Sequence, residues 1–205
     1  MNRRAFGCLL ELIETLLLAL IVFVVVQMFI AQPYQVQQES MENTLMPSQY
    51  ILVDKLTPRF DTYHRGDIVV FNPPTNSKWQ ADPTGTPYVK RIIGVPGDTI
   101  DIRDGSVYVN GEKLDEPYVF GHQPTVPEAW KLPLTLGPDE YFVMGDHRQA
   151  SQDSRAFGPI TKDSIIGRAW LRYWPMSDFG ILPRGESTSP SGSPAPSASP
   201  AASTK

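Results

Sequence analysis

The chain reads as a mainly β protein that follows an apolar N-terminal segment. Three observations predict this. Residues 15–32 (TLLLALIVFVVVQMFIAQ) form a run of eighteen residues without a formal charge. Beyond it come short β-branched or aromatic segments separated by Gly and Pro, the composition of strands and turns. Finally, Asp104-Gly105 and Asn110-Gly111 sit between alternating segments, which is the strongest short-range hairpin signal.

Extended back through Leu9, the apolar run reaches the roughly 20 residues that cross a bilayer. A cleavable leader has an apolar region of only about 7–15 residues followed by a small-x-small site. Phe29-Ile30-Ala31 offers a small residue once, so an uncleaved anchor over residues 9–32 is expected. Arg3 and Arg4 precede the run and no Lys or Arg follows until Lys55. The positive-inside rule then leaves residues 1–8 in the cytoplasm and the bulk of the chain across a plasma membrane, in single-pass topology.

After the anchor, strands are expected at residues 50–56, 67–71 and 88–94, then a meander at 99–103, 106–109 and 112–114, and further strands at 141–144 and 165–174. No amphipathic helix of ordinary length follows the anchor. Residues 72–74 and 81–87 are Pro- and Gly-rich breakers and read as loops. Residues 187–204 contain only Ser, Pro, Ala, Thr and Gly, too little apolar surface to offset the entropy of ordering, so residues 184–205 read as a disordered tail.

Composition excludes several functions. A net charge of −4 gives no electrostatic footprint for nucleic acid. One cysteine, Cys8, rules out an intramolecular disulfide and a Cys-rich zinc site. His64, His122 and His147 stand far apart with no metal-binding spacing, so no metal and no cofactor are expected. A G-x-S-x-G elbow and a phosphate-binding Gly loop are also lacking.

The polar clusters that remain are Glu39-Ser40-Met41, Lys90-Arg91 and the stretch from Gly145 through Asp146, His147, Arg148, Ser151, Asp153 and Ser154 to Arg155. In an extended segment, period-two alternation puts Tyr88, Lys90 and Ile92 on one face and Val89, Arg91 and Ile93 on the other. Lys90 then points among apolar neighbours. Desolvation disfavours an ammonium, and lowering a lysine from ~10.4 to ~7 takes roughly 4–5 kcal/mol. A neutral amine is one of the bases that can activate a serine hydroxyl. A strand lysine snorkelling to water fits the same alternation.

Four ordered motifs carry a resemblance. They are Ser40-Met41-x-x-Thr44-Leu45, Gly66-Asp67-Ile68-Val69-Val70-Phe71, Tyr88-Val89-Lys90-Arg91-Ile92-Ile93-Gly94-Val95-Pro96-Gly97-Asp98, and Gly145-Asp146-x-Arg148-x-x-Ser151-x-Asp153-Ser154-Arg155-x-Phe157-Gly158. Together with the anchor they resemble bacterial type I signal peptidases, from the N-terminal segment to about Trp174. The resemblance implies an antiparallel catalytic β domain over residues 33–98 and 141–183, with a small inserted β subdomain over 99–140. It implies a membrane-bound serine endopeptidase that cleaves signal peptides from exported preproteins, with the bilayer and those peptides as partners.

By position, Ser40 resembles the nucleophile, Lys90 the general base, and Ser151 the residue whose hydroxyl orients the lysine amine. Arg91, Asp146, Asp153 and Arg155 resemble structural supports, with Arg91 expected to meet Asp146. Val36, Met41, Leu45 and Val89 fall at pocket positions for small side chains on the acyl side of the cut. The Ser40 backbone N–H is the expected oxyanion donor, and Gln38 has no such role. Two residues depart from the pattern: Asn43 stands in place of proline, where its side chain is expected to cap the turn, and His147 in place of asparagine, as an exposed or hydrogen-bonding substitute.

Two other classes share parts of this pattern. A self-cleaving repressor would share the dyad but needs a DNA-binding helix-turn-helix, which this N-terminus is not. A membrane-anchored β-domain adaptor or pseudopeptidase would not need Ser40, Lys90 and Ser151 together.

Overall fold

Strands rich in Val, Ile and aromatic residues pair here into two antiparallel sheets, and the larger one sets the geometry of the site. The structure, a computed structural model, describes residues 3–56, 61–75 and 85–185; the side chains of residues 3–10, 26 and 28 lie outside this description. In chain order come helix α1 (Arg3–Val25), a π-helical turn (Val26–Ile30), β1 (Ala31–Gln35), β2 (Tyr50–Asp54), β3 (Ile68–Phe71) and β4 (Tyr88–Gly94). Next are β5 (Thr99–Arg103), β6 (Ser106–Val109), β7 (Glu112–Lys113), β8 (Leu134–Thr135) and β9 (Glu140–Met144). One helical turn, α2 (Ser154–Phe157), precedes β10 (Ile160–Thr161), β11 (Ile165–Trp174) and β12 (Gly180–Ile181).

The large sheet runs β1-β2-β11-β3-β4-β9-β10, with β12 also on β11, and the small sheet runs β7-β6-β5-β8. In β3 the alternation sends Ile68 and Val70 into an apolar cluster with Met41, Leu45, Ile51 and Val53, and Val69 and Phe71 into one with Ile92, Val143 and Phe157. Both faces of the large sheet are therefore covered, which is why β3 and most of β4 read as continuous apolar runs. The small sheet has no separate core: Ile100, Ile102, Val107 and Val109 pack on Ile93, Phe142 and Met144 of the large one. Its hairpins turn where expected, with Asp104 and Asn110 at φ of 51° and 54°. These left-handed values belong to type I′ turns, whose twist matches the flanking strands.

The N-terminal segment departs from expectation. Helical structure stops at Ile30, because Ala31 and Gln32 are already paired in β1 with Asp54 and Val53 of β2. Among the described residues, no helix is long and apolar enough to cross a membrane. Residues 1 and 2 and the side chains of 3–10 lie outside those described, as do residues 186–205 of the expected tail. Residues 184 and 185 do not belong to that tail: the Gly185 N–H donates to Asp67 Oδ1 at 2.9 Å and Arg184 bonds Asp61. Strands β1, β8, β10 and β12 have no counterpart among the expected elements, and β2 is shorter by two residues.

β11 bulges between Ile165 and Gly167, within its pairing to β3. A Cβ on Gly167 would sit 2.4 Å from the Asp54 carbonyl oxygen and 2.8 Å from Val53 Cγ1. Because a backbone atom cannot rotate aside, Gly167→Ala is expected to cost about 1–3 kcal/mol. A lower denaturant midpoint with an unchanged slope checks this; an unaltered midpoint contradicts it.

Candidate active site

Ser40 is the middle residue of a single 3₁₀ turn, Glu39–Met41, that follows β1. Lys90 is the third residue of β4 and pairs across the sheet with Val69. Although 50 residues apart in sequence, Lys90 Nζ lies 2.6 Å from Ser40 Oγ, in a buried contact. The amine has one other hydrogen bond, to the Val89 carbonyl at 3.1 Å, and lies 5.3 Å from the centre of the Tyr88 ring. Lys90 is only 1 % exposed. Burial lowers its pKa to about 8, while Asp153 and Asp146 pull the other way.

Both carboxylates are committed elsewhere. Arg91, on the alternate face of β4, donates through Nε and Nη2 to the two oxygens of Asp146 at 2.8 and 2.7 Å. Nη2 also donates to Thr44 Oγ1, which bonds Asp146 in turn, so this fork reaches the loop after Ser40. Asp153 caps α2 by accepting from the Arg155 N–H, and it accepts both Arg155 Nε and Nη2 at 2.8 Å. Gly145 N–H and Ser151 Oγ donate to the same carboxylate at 3.1 and 2.7 Å. These bidentate, charge-assisted bonds are the strong kind and leave little negative charge uncommitted beside the lysine.

Ser151 therefore has a different partner from the one its position suggested. Its single proton goes to Asp153, an ionised acceptor, and the structure has no hydrogen bond between Ser151 and Lys90. Ser151 and the Ser40 turn meet at Gly145, where a Cβ would lie 2.3 Å from Ser151 Oγ and 2.4 Å from the Ser40 carbonyl oxygen. Only a residue without a side chain lets the end of β9 meet the Ser40 turn. Asn43 does not cap the local turn either: it takes φ of 84° and its Nδ2 donates to the Tyr118 carbonyl at 3.1 Å. His147 is hydrogen-bonded, its Nδ1 2.9 Å from Glu42 Oε2.

A groove of about 230 Å³ leads to the Ser40–Lys90 pair, walled by residues 33–38 on one side and 86–90 on the other, with Ile51 and Val70 beneath. Val36 and Val89 line it. Met41 and Leu45 do not: both are fully buried below, packed against Ile51 and Ile68. Tyr34, Ile51 and Val70 also line it; no strand is expected over residues 33–35, and Ile51 and Val70 read as ordinary strand core in the sequence. Arg148, to which the sequence assigns no role, is part of the network around Gly145. It is fully buried, bonding the Gly145 carbonyl at 3.1 Å and pairing with Glu116 and Thr125. Among the described residues, no group of three His, Cys, Asp or Glu side chains could hold a metal ion.

A groove beside a sheet-edge strand that ends at a buried hydroxyl and amine is an arrangement that could bring an extended peptide to an activated nucleophile. The profile of the family described as "Signal peptidase, peptidase S26" matches residues 9–174. The chain is 37% identical over 174 residues to probable signal peptidase I-2 of Synechocystis, covering 84% of this chain and 77% of the relative. It is 35% identical over 185 residues to signal peptidase IB of Staphylococcus aureus, covering 83% and 92%. A crystal structure of a signal peptidase I from Enterococcus faecalis is 34% identical and covers 53% of this chain and 97% of its own, with a TM-score of 0.43. The chain belongs to the signal peptidase family, peptidase S26.

Removing one partner of a buried ion pair leaves the other charged and unpaired, at about 3–5 kcal/mol. Arg91→Met is expected to lose that much stability by abandoning Asp146, whose residue is wholly buried. Equilibrium denaturation measures the loss, and a change below about 1 kcal/mol contradicts the role of the fork.

Proposed function

We propose that the protein is a signal peptidase I that cuts signal peptides from exported preproteins with Ser40 as nucleophile and Lys90 as general base. One observation carries this reading: a lysine amine, dry and lowered to about 8, lies 2.6 Å from a serine hydroxyl at the end of a peptide-sized groove. The relatives named signal peptidase give the substrate class.

In this mechanism the amine must first be neutral. Ser40 Oγ then attacks the scissile carbonyl carbon as its proton passes to Nζ. The tetrahedral oxyanion needs fixed donors, and the Ser40 backbone N–H, at the start of a 3₁₀ turn, is one. Collapse breaks the C–N bond, and the Lys90 ammonium returns the proton to the departing amine of the mature protein. The signal peptide is left as an ester on Ser40. Water, deprotonated by Lys90, attacks that ester and releases the peptide carboxylate and the Ser40 hydroxyl. Ser151 serves as a positioning residue: it holds Asp153 and the end of β9 beside the dyad. Val36 and Val89 present small apolar surfaces to the acyl-side residues, and β1, an edge strand, pairs with an extended substrate.

The N-terminal segment acts as a single membrane anchor with its N-terminus cytoplasmic. The uncharged run of residues 15–32 and the exposure of Leu16, Leu20 and Phe23 on α1 support this. Because β1 follows α1 after one π turn, the groove then opens beside the lipid from which a signal peptide emerges.

Ser40→Ala and Lys90→Ala are each expected to abolish cleavage of a labelled preprotein in detergent while far-UV circular dichroism stays unchanged. Lys90→Arg is expected to be as inactive, since a guanidinium does not give up its proton. Near wild-type activity in any of the three rejects the dyad. The pH profile tests the base separately. With a pKa of about 8, only on the order of a tenth of the amine is neutral at pH 7. kcat/KM is therefore expected to rise with pH through about 8 and level off above; a profile flat from pH 6 to 9 contradicts the assignment.

A further inference from the structure

The two positions that depart from the motif pattern, Asn43 and His147, lie on either side of the same short segment around Tyr118 and Phe120. Asn43 reaches the Tyr118 carbonyl, while the His147 ring rests on Phe120 with centroids 4.4 Å apart at 33°. The Phe120 N–H donates to the Asp146 carbonyl at 2.9 Å, which ties this segment to the end of β9. A proline, held near −65°, cannot take the φ of 84° found at Asn43, so the loop after Ser40 has a course of its own.

His147 touches that loop twice. Its backbone N–H donates to the Ser40 carbonyl at 3.1 Å, and its Nδ1 lies 2.9 Å from Glu42 Oε2, two residues beyond the nucleophile. The two side chains are only 15% and 17% exposed, so solvent screens the contact weakly. Glu42 itself closes the 3₁₀ turn through its N–H to the Glu39 carbonyl at 2.9 Å. Neither Glu42, His147 nor Phe120 lines the groove. The contact therefore bears on where Ser40 sits and not on how the acyl-side peptide binds.

We propose that Glu42 and His147, backed by the Phe120 ring, form a positioning clasp that holds the Ser40 turn in register with Lys90. A single 3₁₀ turn has too few internal bonds to fix a hydroxyl against a neighbouring strand, so side chains must hold it from outside. Small misplacement of a reacting group costs rate even when every group is present. This inference rests on the reading of Ser40 and Lys90 as the dyad.

The test uses the full chain in detergent and one labelled preprotein, with kcat and KM measured separately. His147→Ala and Glu42→Ala are each expected to lower kcat about tenfold or more and leave KM within about twofold. The double variant is expected to be no slower than the worse single one, because both remove the same interaction. His147→Gln, whose amide can still donate to Glu42, is expected to recover most of the loss. An unchanged kcat in His147→Ala, a raised KM with kcat intact, or fully additive losses overturn the clasp. If His147→Ala fails to fold, Glu42→Ala and His147→Gln carry the same comparison. Ser40→Ala separates the two proposals: activity in it defeats the dyad, whereas its inactivity beside a fully active Glu42→Ala defeats the clasp alone.

Discussion

An amine that water would hold as an ammonium is kept dry against a hydroxyl, and the surrounding architecture depends on that contact. Removing Lys90 from water makes its charged form costly, and a nearby unpaired carboxylate would restore that form. Two carboxylates are in fact near, on Asp146 and Asp153, but each is gripped at both oxygens or at several donors by its own arginine. The lysine is left with a hydroxyl and a carbonyl as its partners. The paired Arg and Asp residues set the electrostatics as well as the shape.

The sheet order places these groups. β4 lies between β3 and β9, so one strand delivers Lys90 to the groove and Arg91 to Asp146 at the end of its neighbour β9. The Ser40 turn follows β1, toward the other end of the sheet order from β9, and is fastened to β9. The missing side chain at Gly145 and the bond from the His147 N–H to the Ser40 carbonyl do this. The second sheet adds to the fastening by sharing its apolar cluster with β4 and β9 and by supplying, from the segment between β7 and β8, Glu116 to Arg148 and Phe120 to His147.

Read residue by residue, the sequence was informative where the physics is local. The period of two in residues 88–93 separates Lys90 from Arg91 without any knowledge of partners, and Asp-Gly and Asn-Gly dictate hairpins because few residues accept their backbone angles. It was silent where two distant segments compete for one group. Met41 and Leu45 are apolar residues near the nucleophile, but whether such a residue lines a groove or lies beneath it depends on how β2 and β3 pack there. Strands β1, β8, β10 and β12 are short and lack an alternating pattern, so only their pairing makes them strands.

The sequence by itself determined a β domain behind an apolar N-terminal segment, the ordered motifs of the signal peptidase family, and a lysine turned away from its neighbouring arginine, since period, composition and charge are properties of a single stretch of chain. The tertiary structure alone decided that the Ser151 proton goes to Asp153, that Asn43 reaches Tyr118, that helical structure yields to β1 at Ala31, and that His147 holds Glu42 beside the nucleophile. Each of these is settled by which acceptor or strand edge is nearest and most strongly charged once the chain has folded, and no local pattern contains that distance.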